Sequence, residues 1–144
     1  MLFPRRLKPD EVESLKGVYG DELDTSKIRV RDNHWTSNLA GVGAFVFGNN
    51  IQISGKRVNN RSILIHEAAH CWQFQKTMGW NYLFSALLDH IRARFDGHNP
   101  YDYSGVVGVL PWEAWGVEQQ AQWIQDNECL PPPEVRNPQM PSIV

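Results

Sequence analysis

The stretch Ile63-Leu64-Ile65-His66-Glu67-Ala68-Ala69-His70-Cys71-Trp72 decides how the rest of the chain is read. As a helix it is apolar nearly all round, which marks it as buried rather than lying half in water. Residues four apart on a helix share a face about one turn apart, so His66 and His70 offer two imidazoles to one point. Burying two histidines and a glutamate without partners is costly, and a bound ion supplies the partner.

Two neutral nitrogens at about 2.0–2.1 Å are what tetrahedral zinc accepts, with positions left for water and one more protein ligand. Glu67 is offset by about 100° from His66, where its carboxylate reaches a water rather than the ion. The expected chemistry is Zn2+ lowering the pKa of water, with Glu67 as general base taking the proton while hydroxide attacks a carbonyl. The pattern arises by chance in roughly one in a few hundred chains of this length. The buried flanks of the helix favour the metal reading over a chance match.

A third ligand must come from elsewhere. The extended metzincin pattern requires glycine at position 73 and histidine at 76, where this chain has Gln73 and Lys76, so that class is excluded. His90 and His98 lie on or after a helix and read as surface residues. Glu118, in Gly116-Val117-Glu118-Gln119-Gln120-Ala121-Gln122, sits inside an expected downstream helix, and the small Ala121 beside it permits close helix approach. Glu113 is the rival, but it falls in the first turn of that expected helix, where an acid merely complements the dipole. Glu118 is favoured, on the assumption of two-histidine, one-glutamate zinc coordination.

Around this centre the expected architecture is α+β. Pro9 to Tyr19 reads as an amphipathic helix stopped by Gly20. Ile28-Arg29-Val30-Arg31 alternates as a half-exposed strand. Gly43 to Phe47 and Ile51 to Ile53 flank Gly48-Asn49-Asn50, a hairpin signal, and the expectation is a small antiparallel sheet. Asn59-Asn60 caps a helix from about Arg61 to Met78, and a second helix runs from about Tyr82 to Phe95. Pro111 opens a third, from Trp112 to about Glu128. The division expected is a domain over residues 1–129 and a proline-rich tail over 130–144. The tail holds five prolines and is read as extended or flexible.

The bulk properties narrow the function classes. The 144 residues suffice for one domain with a buried core. With 42% hydrophobic residues, 21% charged and six tryptophans, the chain is not of the disordered type. A net charge of −2 provides no electrostatic footprint for nucleic acid or an anionic membrane, and Arg5-Arg6-Leu7-Lys8 reads as a solvated N-terminus. No apolar run reaches membrane-spanning length and no secretion signal precedes the first helix. The default compartment is the cytoplasm, a pattern that export by a signal-independent machine would share. Cys71 and Cys129 form neither a disulfide framework nor a Cys-x-x-Cys pair, and Cys71 reads as a buried structural thiol.

The stretch from Arg5 to Gln75 resembles the peptidase-like core domain found with extracellular contractile injection systems and polymorphic toxins. The matching pieces are Ile28-Arg29-Val30, Gly43-Ala44-Phe45-Val46-Phe47-Gly48, Ile51 and His66 to Gln73. Tyr101-Asp102-Tyr103 and Gly116 to Ala121 are similar to the subset described as Vgr-related zinc metallopeptidases, associated with type VI secretion. The similarity covers about Arg5 to Asp126. It implies a minimal zincin-like fold of the gluzincin type, zinc held by His66, His70 and Glu118, and Glu67 as the base. One departure is Gln122: glutamate-zincins often carry an acid four residues after the third ligand, orienting a histidine.

Three functions follow as expectations. The first is a zinc metallopeptidase acting on peptide or protein substrates, linked to a type VI or related contractile system, with a secretion spike or an immunity protein as partner. The second is a zinc-binding accessory module without turnover, which neutral Gln122 permits. The third is a zinc hydrolase of a non-peptide or cell-wall amide. Tyr101 and Tyr103 read as strand or core aromatics, with an O–H to a reaction oxyanion as the functional alternative. Trp72, Trp80, Trp112, Trp115 and Trp123 read as core or cleft lining. The hairpin from Ala44 to Ile53 offers an edge for β-addition of a peptide.

Overall fold

The computed structural model describes residues 3–32, 44–55, 59–77 and 96–138. Four strands, β1 (Arg5–Arg6), β2 (Arg29–Asp32), β3 (Ala44–Phe47) and β4 (Asn50–Ile53), form one sheet in the order β1-β2-β4-β3. The helices are α1 (Pro9–Tyr19), α2 (Arg61–Thr77), α3 (Val117–Asn127) and the single turn α4 (Pro133–Arg136). The architecture is α+β, as expected. The expected helix from Tyr82 to Phe95 lies outside the described residues. Among those residues no helix is long and apolar enough to cross a membrane.

The sheet is mixed, which corrects the antiparallel expectation. β1 pairs β2 and β3 pairs β4 antiparallel, but β2 and β4 run parallel, with Val30 opposite Ile51 and Asp32 opposite Ile53. The hairpin signal concerns β3 and β4 alone, and strand order beyond it is set by burial. Val30, Ile51 and Ile53 are all buried, so parallel pairing puts three β-branched side chains on one inner face. Each contributes about 1.5–3 kcal/mol by leaving water. At the turn Gly48 has φ +63°, a left-handed conformation that glycine adopts without strain.

Arg5 ties the first elements together. Its guanidinium bonds Glu11 at 2.7 and 2.9 Å and Asp32 at 2.6 and 3.1 Å. The Glu11 carboxylate also accepts from the Lys8 amide at 2.6 Å, satisfying a donor that the start of α1 leaves free. β1, the N-terminus of α1 and β2 are thereby joined through one cation. Gly20 (φ +57°) ends α1 at the stop expected for it.

The long helix α2 begins at its expected cap, where the Asn60 side chain accepts from the Ile63 amide at 3.2 Å. Every residue from Leu64 to Gln73 is buried. α1 and the sheet pack against α2, and α3 packs antiparallel to it. Arg61 at the start of α2 pairs with Glu128 at the end of α3. Gln73 near the end of α2 meets Val117 and Gln120 at the start of α3. The Tyr19 hydroxyl donates to the Ile65 carbonyl at 2.6 Å, fastening α1 to the centre of α2.

Two other expectations are corrected. The third helix does not run from Trp112. A single 3-10 turn covers Trp112–Ala114, Trp115 and Gly116 are extended, and α3 starts at Val117. Gly116 followed three residues later by glutamine is a helix-start signal within the sequence: the Gly116 amide donates to Gln119 Oε1 at 2.9 Å. The proline-rich stretch is not wholly extended, because proline suits the first turn of a helix and Pro133 begins α4. Leu130 and Val135 pack against the core.

Candidate metal centre

The two histidines of α2 and the acid of α3 meet in the buried contact between those helices. Glu118 Oε2 stands 3.1 Å from His66 Nε2 and 3.3 Å from His70 Nε2. The imidazoles lie edge to face, with centroids 5.1 Å apart at 80°. One ligand atom from each residue falls within 4.8 Å of the other two, and all three residues are buried. Four ligands arranged tetrahedrally at about 2.0–2.1 Å are separated by about 3.3 Å, which matches both histidine–glutamate distances. Donor types, spacing and burial therefore fit zinc.

Glu118 occupies the first turn of the helix that forms, and Glu113 is exposed on the preceding 3-10 turn. A helix begun at Trp112 would have put Glu113 at the positive end of the dipole; with the start at Val117, the acid that complements the dipole is Glu118 itself. The helix N-terminus favours its carboxylate form. His98 is exposed, and His90 lies outside the described residues.

Glu67 follows His66 and is also buried. Its charge raises the pKa of both His70 and Tyr101, after larger contributions from burial and from Glu118. Burial, together with the Glu67 charge, pushes the Cys71 thiol well up, leaving it neutral and inert, as expected of a structural thiol.

The two tyrosines divide between packing and the centre. Tyr103 stacks on Trp115 with centroids 6.0 Å apart at 12°, and its hydroxyl donates to Asp126 at 2.9 Å. It belongs with the aromatic cluster in which Trp112 packs against Trp115 and Trp123 at 4.9 and 5.9 Å. Tyr101 instead lies half-exposed against His66, ring centroids 5.7 Å apart. Burial, then the charges of Glu118 and Glu67, pushes its pKa up to about 12, so it remains a donor. Trp72 is buried; Trp80 lies outside the described residues.

Gln122 does not approach the histidines; its amide donates to Asp126 at 2.8 Å. The glutamine that reaches one of the two rings is Gln73, whose Oε1 is 2.9 Å from His70 Nδ1. Gln73 in turn donates to the Val117 carbonyl at 3.0 Å and to Gln120 Oε1 at 2.8 Å, and Gln120 donates to the Trp112 carbonyl at 2.8 Å. The local signal for Gln73 was its place three residues after His70, on the same helix face. Gln120 had no such signal.

Fold and centre together define an α+β domain in which the two histidines of a His-Glu-x-x-His helix and a glutamate of a second helix form a buried cluster. No protein-family model matches the chain. It is 29% identical over 132 residues to the type VI secretion system spike protein VgrG2b of Pseudomonas aeruginosa, an alignment covering 85% of this chain and 13% of that protein. It also resembles the solved effector domain of P. aeruginosa VgrG2b, with a TM-score of 0.64 and 25% identity, covering 86% of this chain and 73% of that one. The chain is homologous to that effector domain and spans about an eighth of the whole spike protein.

Proposed function

We propose that this chain is a zinc-dependent metallopeptidase with a gluzincin-type fold, working as an effector of a type VI or related contractile secretion system. The observation behind this reading is the Glu118 carboxylate set 3.1 and 3.3 Å from the two imidazole nitrogens. The homology to a spike protein's effector domain supports the secretion link. A spike component or an immunity protein is the partner class this implies.

In this reading His66, His70 and Glu118 hold the ion. Zinc when bound supplies a Lewis acid that makes water acidic near neutral pH. Glu67 accepts the proton as the water oxygen adds to the scissile carbonyl, then delivers it to the leaving nitrogen as the C–N bond breaks. The Tyr101 hydroxyl, kept protonated, donates to the developing oxyanion. β3 stands at the end of the described sheet, where an extended substrate can add as a strand. The accessory-module reading rests on Gln122, whose amide is occupied by Asp126 away from the centre.

The test compares wild type with Glu67→Gln for zinc content and for cleavage of an unfolded protein. Both variants are expected to hold about one zinc per chain, and only wild type to cleave. Equal cleavage by Glu67→Gln rules the mechanism out, and zinc-free wild type rules out the metal.

A further inference from the structure

The ligand histidines differ in what stands behind them. Among the described residues nothing hydrogen-bonds the buried Nδ1 of His66, whereas His70 Nδ1 faces Gln73 Oε1 at 2.9 Å. The direction of that bond is fixed by atoms far from the ring. A backbone carbonyl accepts and never donates. Gln73 bonds the Val117 carbonyl at 3.0 Å, so the atom it presents there must be Nε2, and its Oε1 must face His70. Gln120 is oriented in the same way: the Trp112 carbonyl at 2.8 Å takes its Nε2, which turns its Oε1 toward Gln73 at 2.8 Å. Two carbonyls thus orient two amides, and the chain ends on an acceptor aimed at His70 Nδ1.

An acceptor there requires Nδ1 to carry a hydrogen, so the neutral ring has its Nε2 lone pair directed at the centre. The same Gln73 amide grips Val117, the neighbour of Glu118. We propose that Gln73 is a positioning residue that holds His70 in its Nδ1–H form and, through Val117 and Gln120, sets the first turn of α3 that presents Glu118. This inference rests on the zinc reading of the centre. A neutral amide bridge does here what a carboxylate does behind many ligand histidines, and it adds no charge to a buried site already holding Glu67 and Glu118. Gln73 and Gln120 are themselves buried, so the bridge is shielded from water.

Zinc affinity by competition with a chromophoric chelator tests this, together with the NMR signal of the His70 Nδ1–H proton in metal-free protein. Gln73→Met keeps length and volume but removes the acceptor. It is expected to weaken zinc about 10–100-fold and to abolish the slowly exchanging Nδ1–H signal, with the far-ultraviolet spectrum unchanged. Gln120→Met removes one of the two acceptors that orient the Gln73 amide and keeps its bond to the Val117 carbonyl, and a smaller loss of affinity is expected; it serves as the test if Gln73→Met does not fold. Wild-type zinc affinity in Gln73→Met, or an Nδ1–H signal that survives it, overturns the proposal. If wild type takes up no zinc, the reading of the centre fails, and the Nδ1–H signal alone decides whether Gln73 holds the ring.

Discussion

His66 Nε2 and Glu118 Oε2, 52 residues apart in sequence, stand 3.1 Å apart in the buried seam between α2 and α3. The contact is made by the first turn of one helix against the middle of an antiparallel one. It places a carboxylate where two imidazoles already converge.

On the proposed zinc reading, removing that carboxylate should abolish metal binding. Changes behind a ligand cost about 10–100-fold in affinity, so loss of a ligand in Glu118→Gln is expected to cost more than about 100-fold. Chelator competition measures it. Glu113→Gln, on the exposed 3-10 turn, is expected to bind zinc like wild type, and a loss there equal to that of Glu118→Gln would reassign the ligand.

The centre also couples to pH. Burial opposes the charged form of His70, but the charge and hydrogen bond of Glu118, with the Glu67 charge, outweigh it and raise the pKa from 6.5 to about 9. A pKa raised on folding contributes stability that is complete below the unfolded value and is lost as pH rises through the folded one. Metal-free protein is therefore expected to melt at progressively lower temperature between pH 6.5 and 9. If the centre takes zinc as proposed, zinc binding at pH 7 is expected to displace the His70 proton. Calorimetry in buffers of different ionisation enthalpy should detect its release, and buffer-independent heats would contradict the assignment.

The two tyrosines should separate function from packing. Tyr101→Phe is expected to retain zinc and fold while losing about 10²–10³ in kcat, the cost of one oxyanion donor. Tyr103→Phe loses only its bond to Asp126, worth at most about 1 kcal/mol, and should turn over like wild type. Kinetics beside urea denaturation compares them; unchanged kcat in Tyr101→Phe removes its role.

Two glycines predict opposite signs. An alanine Cβ at Gly48 would meet the Phe74 ring at 3.3 Å, at φ +63°. Gly48→Ala is expected to destabilise by about 1–3 kcal/mol. Gly17 lies within α1, where an added Cβ would have nothing within 4 Å, so Gly17→Ala should stabilise by about 0.5–1 kcal/mol. Thermal or urea unfolding of both variants checks the pair.

Much of the molecule was legible from local pattern. The extent of α1, its stop at Gly20, the β3–β4 turn at Gly48 and the Asn60 cap of α2 each follow from residues close in sequence, because helix periodicity and turn chemistry act over a few residues. The break before α3 was also local, but proline at 111 outweighed the glycine at 116. The parallel pairing of β2 with β4 was not local at all, since it depends on which faces Val30, Ile51 and Ile53 bury together.

The His66-Glu67-x-x-His70 helix was determined by the chain alone: four-residue spacing puts both rings on one face wherever that helix forms. Folding settled what stands opposite. Glu118 reaches the rings because α3 starts after Gly116 and packs antiparallel on α2, and Gln73, not Gln122, orients His70 because its amide is bound between the two helices. The His66–Glu118 contact and the Gln73–Val117 bond join residues more than 40 positions apart, and such contacts are set by packing, which no short stretch of sequence encodes.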